Sequence, residues 1–313
     1  MSKFEFDPSE YIPYRDKEVM DRVRNIKRED FDKHPNPDFK IIILPDEETM
    51  AWQSMMDYFY TIKEGADNNR DTVLIMGQPD PAYKHLAWAI NKFRINCKKL
   101  HTFNMDEYAD QDGNTAPEDW RKGFLYSALN NFWSQIDEDL RPPRNQIHGP
   151  QTENIEYYGK MIEDLGNADL CQSGPGWTGH LAFIEPGLPG TEFEGTLEEF
   201  KEMGPRIVTL NPFTIAQNSL HASFGYAGDL GAVPPKAATI GPAEVLKAKK
   251  RTDWNGIRVA GSDCSWEKFA TRLAAHGPVT PLVPTSILQL VRTDFYVSEF
   301  IASDIVPRFD ITF

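Results

Sequence analysis

Two stretches of this sequence carry residue types suited to acid–base chemistry. HTFNMDEYAD (101–110) sets Asp106 and Glu107 directly behind Phe103, Asn104 and Met105. Acids that leave so apolar an approach read as carboxylates delivered to a pocket by the end of a strand. SGPGWTGHLAFIEPG (173–187) sets His180 behind Gly174, Gly176 and Gly179, with Glu185 five residues on. The glycines permit close backbone approach and positive φ. A histidine can titrate near neutral pH, and a carboxylate within reach can orient its ring. Together they read as a general acid–base pair, with a glycine loop around a packed histidine as the plainer reading of the stretch alone.

The elements that must position these groups follow from the hydrophobic pattern. FKIIILP (39–45), DTVLIMG (71–77) and KLHTFNM (99–105) read as buried strands. ETMAWQSMMDYFYTIKEG (48–65) reads as a helix ended by its glycine, and PAYKHLAWAINKFRINC (81–97) as a helix with proline in its first turn. PEDWRKGFLYSALNNFWSQI and ENIEYYGKMIEDLG read as helices, and ADLCQSG, RIVTL and GIRVAG as strands. SWEKFATRLAAHG reads as a late helix, and Lys247–Arg251 as the basic end of another. The alternation predicts an α/β fold, doubly wound, with a mostly parallel sheet and helices on both faces. Residues 1–38 read as an N-terminal extension, partly helical around Lys17–Lys27, on a single domain over 39–313. Ligands of such sheets sit beyond the carboxyl ends of strands. That rule brings Asp106, Gly77 and the glycine-rich 173–179 stretch to one crevice.

Composition bounds the function. The 313 residues, 40% hydrophobic and 12% aromatic, suffice for a sizeable core. The net charge of −14 repels phosphate backbones and anionic lipid, which argues against nucleic acid and membrane partners. Cys97, Cys171 and Cys264 lack the spacing of a zinc knuckle or redox motif. The N-terminal stretch shows no signal-peptide pattern and no long apolar run occurs, so a cytoplasmic location is expected.

FNMDEY (103–108) followed by GHLAFIEP (179–186) resembles the glucosamine-6-phosphate deaminase family. GPVTPLVPTSILQL (277–290) is similar to a further segment of that family. Gly77, Pro79 and the Tyr83–Lys84–x–Leu86 run resemble the two ends of its first phosphate loop. The resemblance covers roughly residues 40–290 and implies a deaminase–isomerase Rossmann-like fold that needs no metal or organic cofactor. It also implies a mechanism: an aminosugar phosphate ring opens, its C2 proton moves to C1, and ammonia leaves as a ketose forms. On the matching motifs Asp106 is the base, His180 with Glu185 opens the ring, and Glu107 and Tyr108 shape the pocket floor. Gly77, Gln78, Asp80, Gly176, Thr178 and Gly179 would line the substrate. A homo-oligomer is a further expectation, since the family often forms them.

Four departures stand out. The family's Asp-Gly-His is Thr178–Gly179–His180 here, so the imidazole loses a charged neighbour. The phosphate loop shrinks to Gly77–Gln78–Pro79–Asp80–Pro81, where prolines remove N–H donors and Asp80 adds a negative charge. The family's phosphate arginine aligns with Leu220 and its lysine with Glu267, with Lys268 one position on. An unpaired dianion in a partly buried site costs several kcal/mol. The usual sugar phosphate is therefore not expected to bind in the usual way. His221 is a candidate to take over part of the lost grip, against the plainer reading of a packed histidine. His276 reads as a cation at a helix end. The acids of Glu192–Glu199 read as a solvated loop or lid face. A 6-phosphogluconolactonase-like hydrolase and a non-catalytic sugar-binding homologue are the alternatives, and Asp106, His180 and Glu185 together weigh against the second.

Overall fold

A computed structural model describes residues 4–78, 80–187 and 195–309. Its strands among these are β1 (Phe39–Leu44), β2 (Thr72–Met76), β3 (Leu100–Asn104), β4 (Asp106–Ala109), β5 (Ile147–His148), β6 (Leu170–Ser173), β7 (Arg206–Thr209), β8 (Lys236–Thr239), β9 (Lys250–Asn255) and β10 (Thr293–Ser298). Seven form one sheet in the order β1-β10-β9-β6-β2-β3-β5, and every pairing is parallel. A small antiparallel sheet, β4-β8-β7, stands apart from it. The architecture is the doubly wound α/β arrangement that the alternation predicts.

Local chemistry explains the elements. All five β2 residues are buried, as expected of a central strand covered on both faces. Asp46 caps the Glu47–Asp67 helix by accepting from Thr49 N at 2.7 Å, and Glu47 and Glu48 favour its first turn. Tyr58, Phe59 and Ile62 on that helix pack with Leu74 and Met76 of β2. Each such side chain contributes roughly 1.5–3 kcal/mol on burial. The helix does not stop at Gly65 but continues to Asp67. Glycine is needed there for another reason: a Cβ would lie 1.6 Å from Thr72 Oγ1.

Three further expectations are corrected. The 99–105 strand does not run out into a loop at Asp106. Met105 N donates to Met76 O at 2.8 Å, Met105 O accepts from Ile240 N at 3.0 Å, and the chain turns straight into β4. GIRVAG is not a strand. The strand is β9 just before it, and 256–261 is a loop with a short turn at Val259–Gly261. Near its basic start Arg251 is buried and donates to the carbonyls of Leu246, Ala248 and Arg292. The helix expected over 117–136 breaks into an α-turn (Phe124–Ser127), a π-turn (Ala128–Phe132) and a 3₁₀ turn (Trp133–Gln135).

The N-terminal segment is tied to the late helix Glu267–His276. Arg22 donates to His276 O at 2.9 Å, and Val23 and Phe31 are fully buried. His276 is not a capping cation, because burial pushes its pKa down to about 4 and its Nε2 meets Phe31 O at 3.0 Å. Among the described residues no helix is long and apolar enough to cross a membrane.

Candidate active site

The sheet changes direction between β2 and β6: β3 and β5 continue to one side of β2, while β6 and β9 return on the other. Such switch points leave a crevice at the carboxyl ends of the strands. Here Gly77 after β2 and Ser173 and Gly174 at the end of β6 line a cavity of 570 Å³. Asp106 and His180 line the same cavity. The two groups singled out from separate motifs therefore face one space.

His180 is 4% exposed, and its Nδ1 is surrounded by acceptors. Thr178 Oγ1 lies at 3.2 Å, Thr214 Oγ1 at 3.1 Å and Glu185 Oε2 at 3.5 Å. The Thr178 hydroxyl donates to Glu185 Oε2 at 2.8 Å, and Asn211 N donates to Glu185 Oε1 at 3.3 Å. With acceptors gathered at Nδ1, that nitrogen carries the proton and Nε2 is left to act on a ligand. Gly176 presses on the ring: a Cβ there would lie 2.0 Å from Cε1 and 2.1 Å from Nε2. Gly179 has φ of 77°, and Thr285 closes the turn by donating to His180 O at 2.6 Å and, through its N–H, to Gly179 O at 3.0 Å.

Asp106 opens β4 opposite Thr239 of β8. Burial pushes its carboxyl up to about 7, against the Thr239 side chain, His180 and Phe183 N–H, which all pull it down. Its Oδ1 is buried with no hydrogen-bond partner. A carboxylate so placed changes protonation near neutral pH, as a group that takes and returns a proton must.

The other candidates separate. Gly77, Gln78, Tyr108 and His221 line the cavity, as does Leu220. His221 leans on Trp266, burial pushes its pKa down to about 4, and it is therefore neutral. Asp80 instead lines an adjoining chamber of 190 Å³, whose wall shares Gly77, Gln78, Ser173 and Gly174 with the main cavity. It accepts from Ala82 N at 2.7 Å, and Tyr83 Oη donates to Gln78 O at 2.8 Å, so the short turn is held by its own contacts. Pro79 and the acids Glu192 and Glu194 lie outside the described residues.

Gly176, Thr178, Gly179 and Glu185 surround His180 without lining the cavity, and Glu107 and Lys268 do not reach it. Glu107 sits behind its wall and accepts from Tyr108 N, Phe124 N and Leu125 N at 2.9, 3.2 and 2.8 Å. It is a structural anchor and not a floor residue. Lys268 turns away to Ser303 Oγ, at 2.8 Å, and to the Phe300 ring, because one step along a helix is ~100° of rotation. Its neighbour Glu267 faces inward, fully buried, and accepts from Ile257 N at 2.7 Å.

Sequence reading missed Thr214, whose role depends on a contact with His180 from 34 residues away. It also missed Arg121 and Lys122, which line the cavity from a segment read as the inside of a helix. No group of three potential metal ligands occurs among the described residues.

No family model matches the chain. Glucosamine-6-phosphate deaminase of Caenorhabditis elegans is 30% identical over 269 residues, covering 83% of this chain and 89% of that protein. The enzyme of the same name from Lachnoclostridium phytofermentans is 29% identical over 215 residues, covering 68% and 79%. Among solved structures, a monomeric glucosamine-6-phosphate deaminase matches with a TM-score of 0.67 at 21% identity, over 84% of this chain and 99% of that one. A 6-phosphogluconolactonase from Thermotoga maritima matches with a TM-score of 0.55 at 15% identity, over 82% and 98%.

Proposed function

Since the chain belongs to the glucosamine-6-phosphate deaminase family, we propose that it is a sugar deaminase–isomerase, with Asp106 as the proton-transfer base and His180 with Glu185 as the ring-opening pair. The observation that carries this reading is the shared cavity, into which a half-titrated carboxylate and an oriented imidazole both open. His180 Nε2 takes the proton of the anomeric hydroxyl and passes it to the ring oxygen as the C1–ring oxygen bond breaks, giving the open-chain aldose. The Asp106 carboxylate then removes the C2 proton while the C1 oxygen takes a proton from the substrate's ammonium group, giving an enolamine, and Asp106 returns its proton to C1. C2 becomes an iminium, which water hydrolyses to the ketone with release of ammonia.

The substrate is one that does not present a phosphate dianion at the Gly77 turn. Asp80, Leu220 and the buried Glu267 stand at the positions matching the family's phosphate grip, and Lys268 is engaged elsewhere. Free thiols at Cys97, Cys171 and Cys264 fit a cytoplasmic role. The likeness to lactonases is one of fold, and a lactonase reading has no observation of its own. A screen of free and phosphorylated aminosugars for ammonia and ketose formation tests the proposal. Release of both from at least one aminosugar is expected, and lactone hydrolysis without ammonia from any aminosugar overturns it.

A further inference from the structure

We propose that the substrate carries its negative charge on a different part of the molecule, and that Arg121 and Lys122 bind it as a phosphate or carboxylate subsite. This rests on the reading of the cavity as a sugar site. The chain has 47 acidic and 33 basic residues, yet among the described residues the cavity wall holds Arg121, Lys122 and Arg258 against a single carboxylate, Asp106. Arg258 is committed: its guanidinium donates to Ser262 O and to Asp263 Oδ1, each at 2.8 Å, and stacks 4.3 Å from the Phe300 ring centre. Arg121 and Lys122 have no carboxylate partner among the described residues. Lys122 Nζ sits 4.4 Å from the Phe224 ring centre, a neutral contact that fixes the ammonium without quenching its charge.

The pair is anchored. Immediately after it, Phe124 N and Leu125 N donate to the buried Glu107, which roots the segment in β4 next to Asp106. A planar guanidinium beside an ammonium matches phosphate or carboxylate oxygens. The residues at the family's phosphate positions offer no such match here, since Asp80 and Glu267 are acids and Leu220 is apolar. The anion grip has moved from the Gly77 turn to the segment before Phe124.

The test is calorimetric titration of the full chain with inorganic phosphate and with D-galacturonate, beside neutral D-galactose. Arg121→Gln/Lys122→Gln and the charge-preserving Arg121→Lys/Lys122→Arg are compared with the parent. At least one anion should bind, with Kd raised about tenfold or more in the glutamine variant and largely restored in the charge-preserving one. Binding that is equal in parent and glutamine variant, or the absence of binding by both anions, overturns the subsite. Asp106→Asn separates the two readings, because it removes the base and spares the cations. If Asp106→Asn binds the anion as the parent does while the parent turns over no aminosugar, the subsite stands and the proton-transfer reading falls. If an anionic aminosugar is turned over with KM unchanged in the glutamine variant, the proton-transfer reading stands and the subsite falls.

Discussion

The Thr178 hydroxyl donates to Glu185 Oε2 at 2.8 Å, so an uncharged side chain holds the carboxylate that faces His180. The family has an aspartate at this position. Here the link from imidazole to carboxylate runs partly through a hydroxyl and partly across the 3.5 Å between His180 Nδ1 and Glu185 Oε2. Thr178→Val keeps the shape and removes the link. Steady-state kinetics should show kcat lowered about tenfold with KM little changed, the signature of lost orientation. A kcat equal to the parent's would mean that Thr214 alone orients the ring.

Gly176→Ala should act through His180. The added methyl would meet the ring at 2.0 Å, so the imidazole must rotate or the loop must shift. A displacement of about 1 Å at a catalytic group can cost about 100-fold in rate. We expect that loss in kcat with the thermal midpoint lowered by only a few degrees. Wild-type turnover in this variant would show that the ring's position is unimportant.

The pH dependence follows from Asp106. Burial raises its carboxyl from 3.8 to about 7, and the base must be ionised, so activity should fall as pH drops through about 7. The same shift costs stability at high pH. The folded form holds its proton longer than the unfolded form, and stability from this group declines as pH rises from about 4 to about 7. Asp106→Asn cannot ionise. It should exceed the parent in stability by roughly 2–4 kcal/mol at pH 8, with the difference closing near pH 4. Denaturant titrations of both proteins at the two pH values measure this, and a difference independent of pH would contradict the shift.

Glu107 predicts a stability effect instead. Three buried backbone N–H groups depend on its carboxylate. Glu107→Ala should destabilise the fold by about 3 kcal/mol or more, read as a lower denaturation midpoint. Glu107→Gln keeps two acceptor lone pairs and should lose less.

The parallel sheet was legible because β1, β2, β3 and β6 are short apolar runs that alternate with helices of clear period. The meeting of Asp106 and His180 at one cavity was legible because each sits in a motif that follows a strand. The small sheet was not, since β4 reads as a continuation of β3 and only Met105, bonded to both Met76 and Ile240, reveals the turn between sheets. β9 was hidden by Lys250 and Arg251, whose charges look helical and solvated until the carbonyls that take up Arg251 are seen. The inward face of the Glu267–His276 helix is hard to read for a similar reason: a buried Glu267 beside an outward-turned Lys268 reverses the ordinary preference for keeping acids in water. Arg121 and Lys122 carried no signal, because their importance comes from the cavity wall and not from spacing.

The central claim is that Asp106 moves a proton between adjacent carbons of a sugar bound against His180. The most direct measurement is transfer of deuterium from C2 of the substrate to C1 of the ketose formed in light water, in the parent and in Asp106→Asn, with whichever aminosugar releases ammonia, labelled at C2. The account predicts deuterium at C1 in the parent's product and turnover lowered about 1,000-fold or more in the variant, with binding retained. Turnover at the parent's rate in Asp106→Asn would contradict it.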